Sequence, residues 1–366
     1  MIYIIVFLIS IYFSHIASNC FNRRSKMVGF FLSTISIFAP VLLAGMRDYT
    51  VGTDTINYTW FFENACSCRT FKEFIVTSPS VELGYLTFTY LFSRLCHETC
   101  LYFATFHLLI IVPVYWVGYK NRGRVSLPLM MFVFLFLFYN ESLNITRQYV
   151  SISLGLVAIW HLIQGNFKSS VAFTVIAISF HTSSILLISY YLVYYVTNRY
   201  PLRGNLLRYL LYIVLFVAVF GTILNFGLLN IAYSITDRFS NYASNDKGTV
   251  SNSTMILYLL TSFTMFVAAR STKDIKITFF FVLSSFAMFF LLAGSISNTF
   301  YRLALPFAFP LVYSFPYLCK SISDKGKKII GIGGMSFYFA FFLFYWYFVI
   351  VLRGSFATYP YSSTIL

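Results

Sequence analysis

An all-α, polytopic membrane protein is the fold class this sequence predicts, and three observations predict it. Hydrophobic residues make up 59% of the 366 residues and charged ones only 10%, where a soluble chain carries about a quarter charged. Runs of about twenty apolar residues recur along the length, each long enough to cross a hydrocarbon core of roughly 30 Å as a helix. Lys and Arg fall in short clusters between those runs, as in the cytoplasmic loops of membrane proteins. Lipid cannot satisfy free backbone groups, so the spans are expected to be helical. The net charge of +15 then follows from loop orientation and does not point to nucleic acid.

The first run, 2–20, lacks a basic start and a small-residue cleavage site, and reads as a retained span rather than a signal peptide. Further spans are expected at 27–45, 100–119, 126–140, 147–164, 209–230, 255–270, 276–294, 301–318 and 329–352. That makes about ten transmembrane spans in a single integral membrane domain, 1–366. Two segments are ambiguous. Residues 81–96 are short and carry Glu82 and Arg94, which suits an interfacial helix in a long early outer loop, 46–99. Residues 170–197 form one long run broken at Phe180-His181-Thr182-Ser183. They fit either a re-entrant hairpin of two half-helices or one tilted helix around a buried histidine. Charge favours the interfacial helix and the hairpin. With both in place, the loops around 20–26, 120–124, 165–170, 198–208, 270–276 and 319–328 face the cytoplasm. They hold 17 of the 26 Lys and Arg and, of the acids, only Asp274 and Asp324. Both termini and a second outer loop, 231–254, then lie outside.

The outer face collects the unusual residues. The stretch GMRDYTVGTDTINY, from Gly45 to Tyr58, opens the early outer loop. Read locally, it is an Asp-capped turn in which Arg47 pairs with Asp48 or Asp54, with Gly52 permitting a tight bend. Asn144-Ile145-Thr146-Arg147-Gln148 and Asn298-Thr299-Phe300-Tyr301-Arg302 open two later spans at the same depth. Arg238 and Tyr242 lie in the second outer loop, and His181 sits at the break of the split run. Ionisable groups at membrane depth are costly and usually face a cavity or pathway, although a single boundary Arg often only snorkels. Arg binds phosphate oxygens with a planar fork. Tyr58, Asn144, Gln148, Tyr242 and Tyr301 suit sugar hydroxyls, and Asp54, Glu82 or His181 could accept a hydroxyl proton. Such a set suits sugar transfer between lipid diphosphate carriers. No Walker A, GxGxxG or zinc-spacing motif is present, so no cofactor, nucleotide or metal is expected. Cys66-Ser67-Cys68 with His97 and Cys100 matches no common zinc spacing.

Taken in order, these blocks resemble the EpsG family of Wzy-type polysaccharide polymerases. The resemblance rests on Arg47-Asp48-Tyr49 with Val51-Gly52-Thr53-Asp54 and Asn57-Tyr58, on Glu82-Leu83-Gly84-Tyr85, on Asn144 to Gln148, on Phe180 to Ser183, and on Tyr301-Arg302. Thr146 stands where an apolar residue is expected, and Tyr149 follows Gln148. The resemblance implies an enzyme of the bacterial inner membrane. It would transfer a growing O-antigen or exopolysaccharide chain from one undecaprenyl diphosphate carrier to a new lipid-linked repeat, without nucleotide. Arg147 and Arg302 would hold the leaving diphosphate, with Arg47 and Arg238 as further substrate-binding cations. Asp54, Glu82 or His181 would be the base. A chain-length regulator of the polysaccharide co-polymerase type is an expected partner.

Three other readings compete. An O-antigen ligase usually carries its larger outer loop late, whereas here it is early. A flippase or transporter should show pseudo-repeated halves, and none is found. A membrane acyltransferase lacks a reason for the Gly-Thr-Asp block. An oxidising outer compartment would permit a bond between Cys66 or Cys68 and Cys96 or Cys100, while Cys20 and Cys319 are expected as free thiols.

Overall fold

Apolar helices joined by short turns follow one another from the first residues of the chain. The computed structural model describes residues 1–79, 81–200, 202, 251–272, 274–294, 298–324 and 328–363. The expected span at 209–230, the loop 231–254, and with them Arg238 and Tyr242, lie outside the described residues. The chain divides into two compact units, Met1–Ser184 with Val312–Leu366, and Ile185–Leu311.

The first unit opens with α1 (Ile2–Asn22) and α2 (Lys26–Gly45). They are joined by reciprocal bonds of 2.7 Å in which each of Ser10 and Ser36 donates its hydroxyl to the other's carbonyl. Small polar residues let apolar helices approach and bond where lipid offers no partner. Helix α6 (Thr99–Lys120) packs on α2 in the same way. The Tyr115 hydroxyl donates to Ser33 Oγ at 2.7 Å, and Gly45 sits so near α6 that a Cβ there would come within 2.8 Å of the Cys100 carbonyl.

Between α2 and α6 the chain forms three helices, α3 (Thr55–Ser67), α4 (Phe71–Thr77) and α5 (Leu83–Leu95). The sequence reading expected one, at the position of α5. The other two have local causes. In α3, Thr55, Tyr58, Phe61, Phe62 and Ala65 are buried, the spacing of one helical face. In α4, Thr70 Oγ1 accepts from Glu73 N–H while the Glu73 carboxylate accepts from Arg69 N–H, a reciprocal cap.

Beyond α6 come α7 (Leu127–Leu137), α8 (Tyr139–Asn144), α9 (Thr146–Ile163) and α10 (Phe167–Phe180). Phe138 and Ile145 leave helical geometry and separate the first three. The long run at 170–197 is broken at His181, whose extended backbone (φ −156°, ψ 125°) ends α10. A 3₁₀ turn, Thr182–Ile188, and α11 (Ser189–Arg199) follow. In the second unit α11 packs on α13 (Ile275–Ala293), which also packs on α12 (Asn252–Ser271) and α14 (Asn298–Ala308). Two last helices are α15 (Leu311–Asp324) and α16 (Lys328–Trp346). A π-turn, Tyr347–Leu352, then leads into an extended tail.

Among the described residues, seven helical stretches are long and apolar enough to cross a membrane, one of them, Phe300–Ile322, running through α14 and α15, so the chain is a multi-pass helical membrane protein. They stand at seven of the ten expected positions. Two further positions hold α7, which has 11 residues and so is too short for roughly 30 Å of hydrocarbon, and α9, whose first turn carries Arg147 and Gln148. All six cysteines are free thiols, so the bond across the early outer loop is not formed.

Candidate functional site

The loop that leaves α2 is held from several sides. Arg47 is turned inward and only 3% exposed. Its Nη1 donates to the Ala44 carbonyl at 2.9 Å, and its guanidinium lies 4.2 Å from the Phe103 ring centroid. Nε and Nη2 have no hydrogen-bond partner. Burial pulls its pKa down to about 10, against the opposing pull of Tyr139, Tyr3, Tyr58 and Tyr361, so the group is still a cation at neutral pH. The expected pairing with Asp48 or Asp54 does not form. Asp48 Oδ1 instead accepts from Thr50 N–H at 2.9 Å and from its hydroxyl at 2.8 Å, an Asx turn. Gly52 has φ +91°, with the Leu143 carbonyl 3.2 Å from where a Cβ would stand. Asn144 clamps the end of the loop: its Oδ1 accepts from the Thr53 hydroxyl at 2.7 Å and from Asp54 N–H at 2.9 Å.

The first turn of α9 spreads three polar side chains to three different partners, because successive residues point about 100° apart around a helix. Arg147 Nη1 donates to Glu82 Oε2 at 2.6 Å, the two side chains being 18% and 16% exposed. The guanidinium carbon lies 5.0 Å from the Tyr85 ring centroid and 5.9 Å from that of Tyr58. Gln148 Nε2 donates to Ser183 Oγ at 3.2 Å. The Tyr149 hydroxyl donates to Glu141 Oε2 at 2.8 Å, and that carboxylate is 4% exposed.

The helix break completes the arrangement. Glu82 Oε1 accepts from Thr182 N–H at 3.2 Å and from its hydroxyl at 3.1 Å. Burial works to raise the Glu82 pKa, but the charge of Arg147, then that of His181, together with backbone hydrogen bonds, hold it below the ordinary carboxylate value. His181 Nδ1 accepts from Ser183 N–H at 3.2 Å, so the neutral ring carries its proton on Nε2. One turn along from Gln148, Ser151 bonds the Ala177 carbonyl and Ser184 Oγ. The same face of α9 thus anchors both sides of the break.

The structure therefore brings Arg147, Glu82, Tyr58, Gln148 and His181 together in the first unit. Asp54 acts electrostatically on Tyr58 alongside Arg147. Asn144 is spent on the loop. Tyr301 and Arg302 lie half-buried on α14 in the second unit. Residue-by-residue reading passed over Tyr85, which floors Arg147, and Glu141, although a lone acid in the apolar stretch from 126 to 146 was a signal. The EpsG family profile matches residues 30–363. The chain belongs to the EpsG family. No curated protein and no solved structure matches it. The EpsG match begins inside α2 and ends in the tail at Ser363. It therefore takes in the loop, the Glu82–Arg147 pair, the His181 break and Arg302.

Proposed function

We propose that this EpsG-family protein is a polysaccharide polymerase. It transfers a growing glycan from one undecaprenyl diphosphate carrier to a new lipid-linked repeat at the outer face of the bacterial inner membrane. The observation that carries this reading is Arg147: a cation on an aromatic floor of Tyr85 and Tyr58, with proton acceptors beside it. In the reaction the acceptor hydroxyl oxygen bonds to the donor's anomeric carbon, and the carbon–oxygen bond to the diphosphate breaks. The hydroxyl proton passes to a carboxylate. Arg147 stabilises the charge that gathers on the leaving diphosphate, as a fixed cation at low exposure does well. Gln148 and Tyr58 carry polar groups that suit sugar hydroxyls. The resemblance alone gives Arg302 a phosphate-binding role. Energy comes from the glycosyl diphosphate bond, so no nucleotide is needed.

The test is the surface polysaccharide of cells lacking the gene, complemented with wild type or Arg147→Ala at matched membrane levels. Loss of polymer with accumulation of single lipid-linked repeats, reversed by wild type and not by Arg147→Ala, supports the polymerase. Removing one such stabilising group should lower the rate by about 10²–10³. A null strain whose core carries no repeat at all would indicate a ligase or flippase, and unchanged polymer length would reject the reading.

A further inference from the structure

The pair that marks the site also blocks it. A guanidinium grips phosphate through two parallel donors. Here Glu82 reaches that fork through one oxygen only, at Nη1, while its other oxygen is held by Thr182. Arg147 Nε is buried and has no hydrogen-bond partner. Tyr58 also hydrogen-bonds the guanidinium, and Glu82 itself takes one of its donors as an anion of single charge anchored elsewhere. Breaking such a pair outright would strand a charge. Exchanging the carboxylate for a diphosphate, which can present two oxygens to the parallel Nη1 and Nη2 donors, strands none.

We infer that Glu82 is a place-holder for the substrate: it pairs with Arg147, and an incoming lipid diphosphate displaces it and frees it as the proton acceptor. The inference rests on the polymerase reading and deepens it. Once Arg147 holds the diphosphate, the carboxylate loses its nearest cation and its affinity for a proton rises. Base strength then appears only when donor is bound. The acceptor hydroxyl loses its proton to Glu82 as its oxygen bonds to the anomeric carbon, and the diphosphate departs on Arg147. Thr182, which donates two hydrogen bonds to Oε1, keeps the released group in place. A competitor built into the site also lowers the apparent affinity for donor in proportion to the fraction of sites it occupies.

The test uses the full chain in lipid nanodiscs and calorimetric titration with farnesyl diphosphate as probe. Glu82→Gln, which keeps shape and removes the competing charge, should bind about tenfold more tightly than wild type while failing to restore polymer in cells. Thr182→Val, which loosens the hold on Oε1, should shift affinity the same way by less, and it answers the question if Glu82→Gln does not fold. Unchanged or weaker binding in both variants overturns the inference. A wild type that binds no diphosphate, or binds it undiminished in Arg147→Gln, rejects the polymerase reading itself.

Discussion

Arg47 and Arg147 are both argued from sequence as phosphate-binding cations, yet their surroundings differ. Arg147 has a carboxylate opposite it, whereas Arg47 is enclosed by aromatic rings with two nitrogens unpartnered. A buried charge without a counter-ion is a burden on the fold, and replacing such groups with apolar residues of similar volume is often neutral or stabilising. Arg47→Met should therefore melt no lower than wild type, and a fall in melting temperature beyond about 5 °C would show that the phenols around it compensate its charge. Glu82 behaves oppositely. Its folded pKa lies below the ordinary value of 4.5. The stability it contributes is present above that value and is lost as pH falls through the lower, folded one. At neutral pH, Glu82→Gln should cost about 2 kcal/mol, because Arg147 loses its partner. The melting gap between the two proteins should be flat above 4.5 and close below it. A gap that persists in strong acid would mean that Glu82 acts through packing.

At the scale of elements, the Glu82-Leu83-Gly84-Tyr85 block becomes legible as geometry. Glu82 stands just before the first turn of α5 and meets Arg147, Tyr85 lies under the guanidinium, and Gly84 lets α10 approach. A Cβ at Gly84 would stand 2.6 Å from the Ser179 carbonyl, and backbone cannot yield as a side-chain tip can. Gly84→Ala should push α5 from α10, separate Glu82 from Thr182, and cost about 1–3 kcal/mol. Normal stability with normal polymer would show that the two helices adjust freely. The same elements show what could be read from the chain. Long apolar runs announced themselves, and the His181 break showed because Phe180-His181-Thr182-Ser183 interrupts such a run. Helix α4 is also written plainly, in the cap Thr70-Phe71-Lys72-Glu73, but it is only seven residues long and carries no long apolar run. Helix α3 hides for a different reason. Its buried face mixes Thr, Tyr and Ala with Phe, which periodicity in hydrophobicity registers weakly.

Within the first unit as a whole, the least legible feature is the tail. Gly52 N–H donates to the Ala357 carbonyl at 2.8 Å, and Asp48 N–H to the Ser362 carbonyl at 3.0 Å. Arg47 and Ser363 form a β-bridge. The Tyr3 hydroxyl reaches the Thr358 carbonyl at 2.7 Å and Tyr361 the Leu43 carbonyl at 2.8 Å. Asn140 meets Thr358 on one side and the Trp346 indole on the other. Backbone pairing of this kind carries no side-chain signature, and contacts more than 300 positions apart leave no local pattern in a single sequence. The tail thus acts as a strap over the loop that bears Arg47 and Asp54. Removing residues 354–366 would leave the loop amides without acceptors and several buried hydroxyls unpaired, each orphaned group costing about 1–3 kcal/mol. Not all of that falls on global stability, because the α-helices of this unit keep their own packing. The loss should concentrate in residues 46–54. Hydrogen exchange at the Asp48 and Gly52 amides should quicken by about 100-fold or more, while the amides of α6 and α9 hold their protection. Tyr361→Phe, which deletes the hydroxyl's bonds to Leu43 and Ser363 and leaves the backbone pairing in place, should give a milder form worth about 1 kcal/mol. Uniform loss of protection across the unit would make the tail a general support, and unchanged exchange at Gly52 would mean that Asn144 and the Asx turn hold the loop without it.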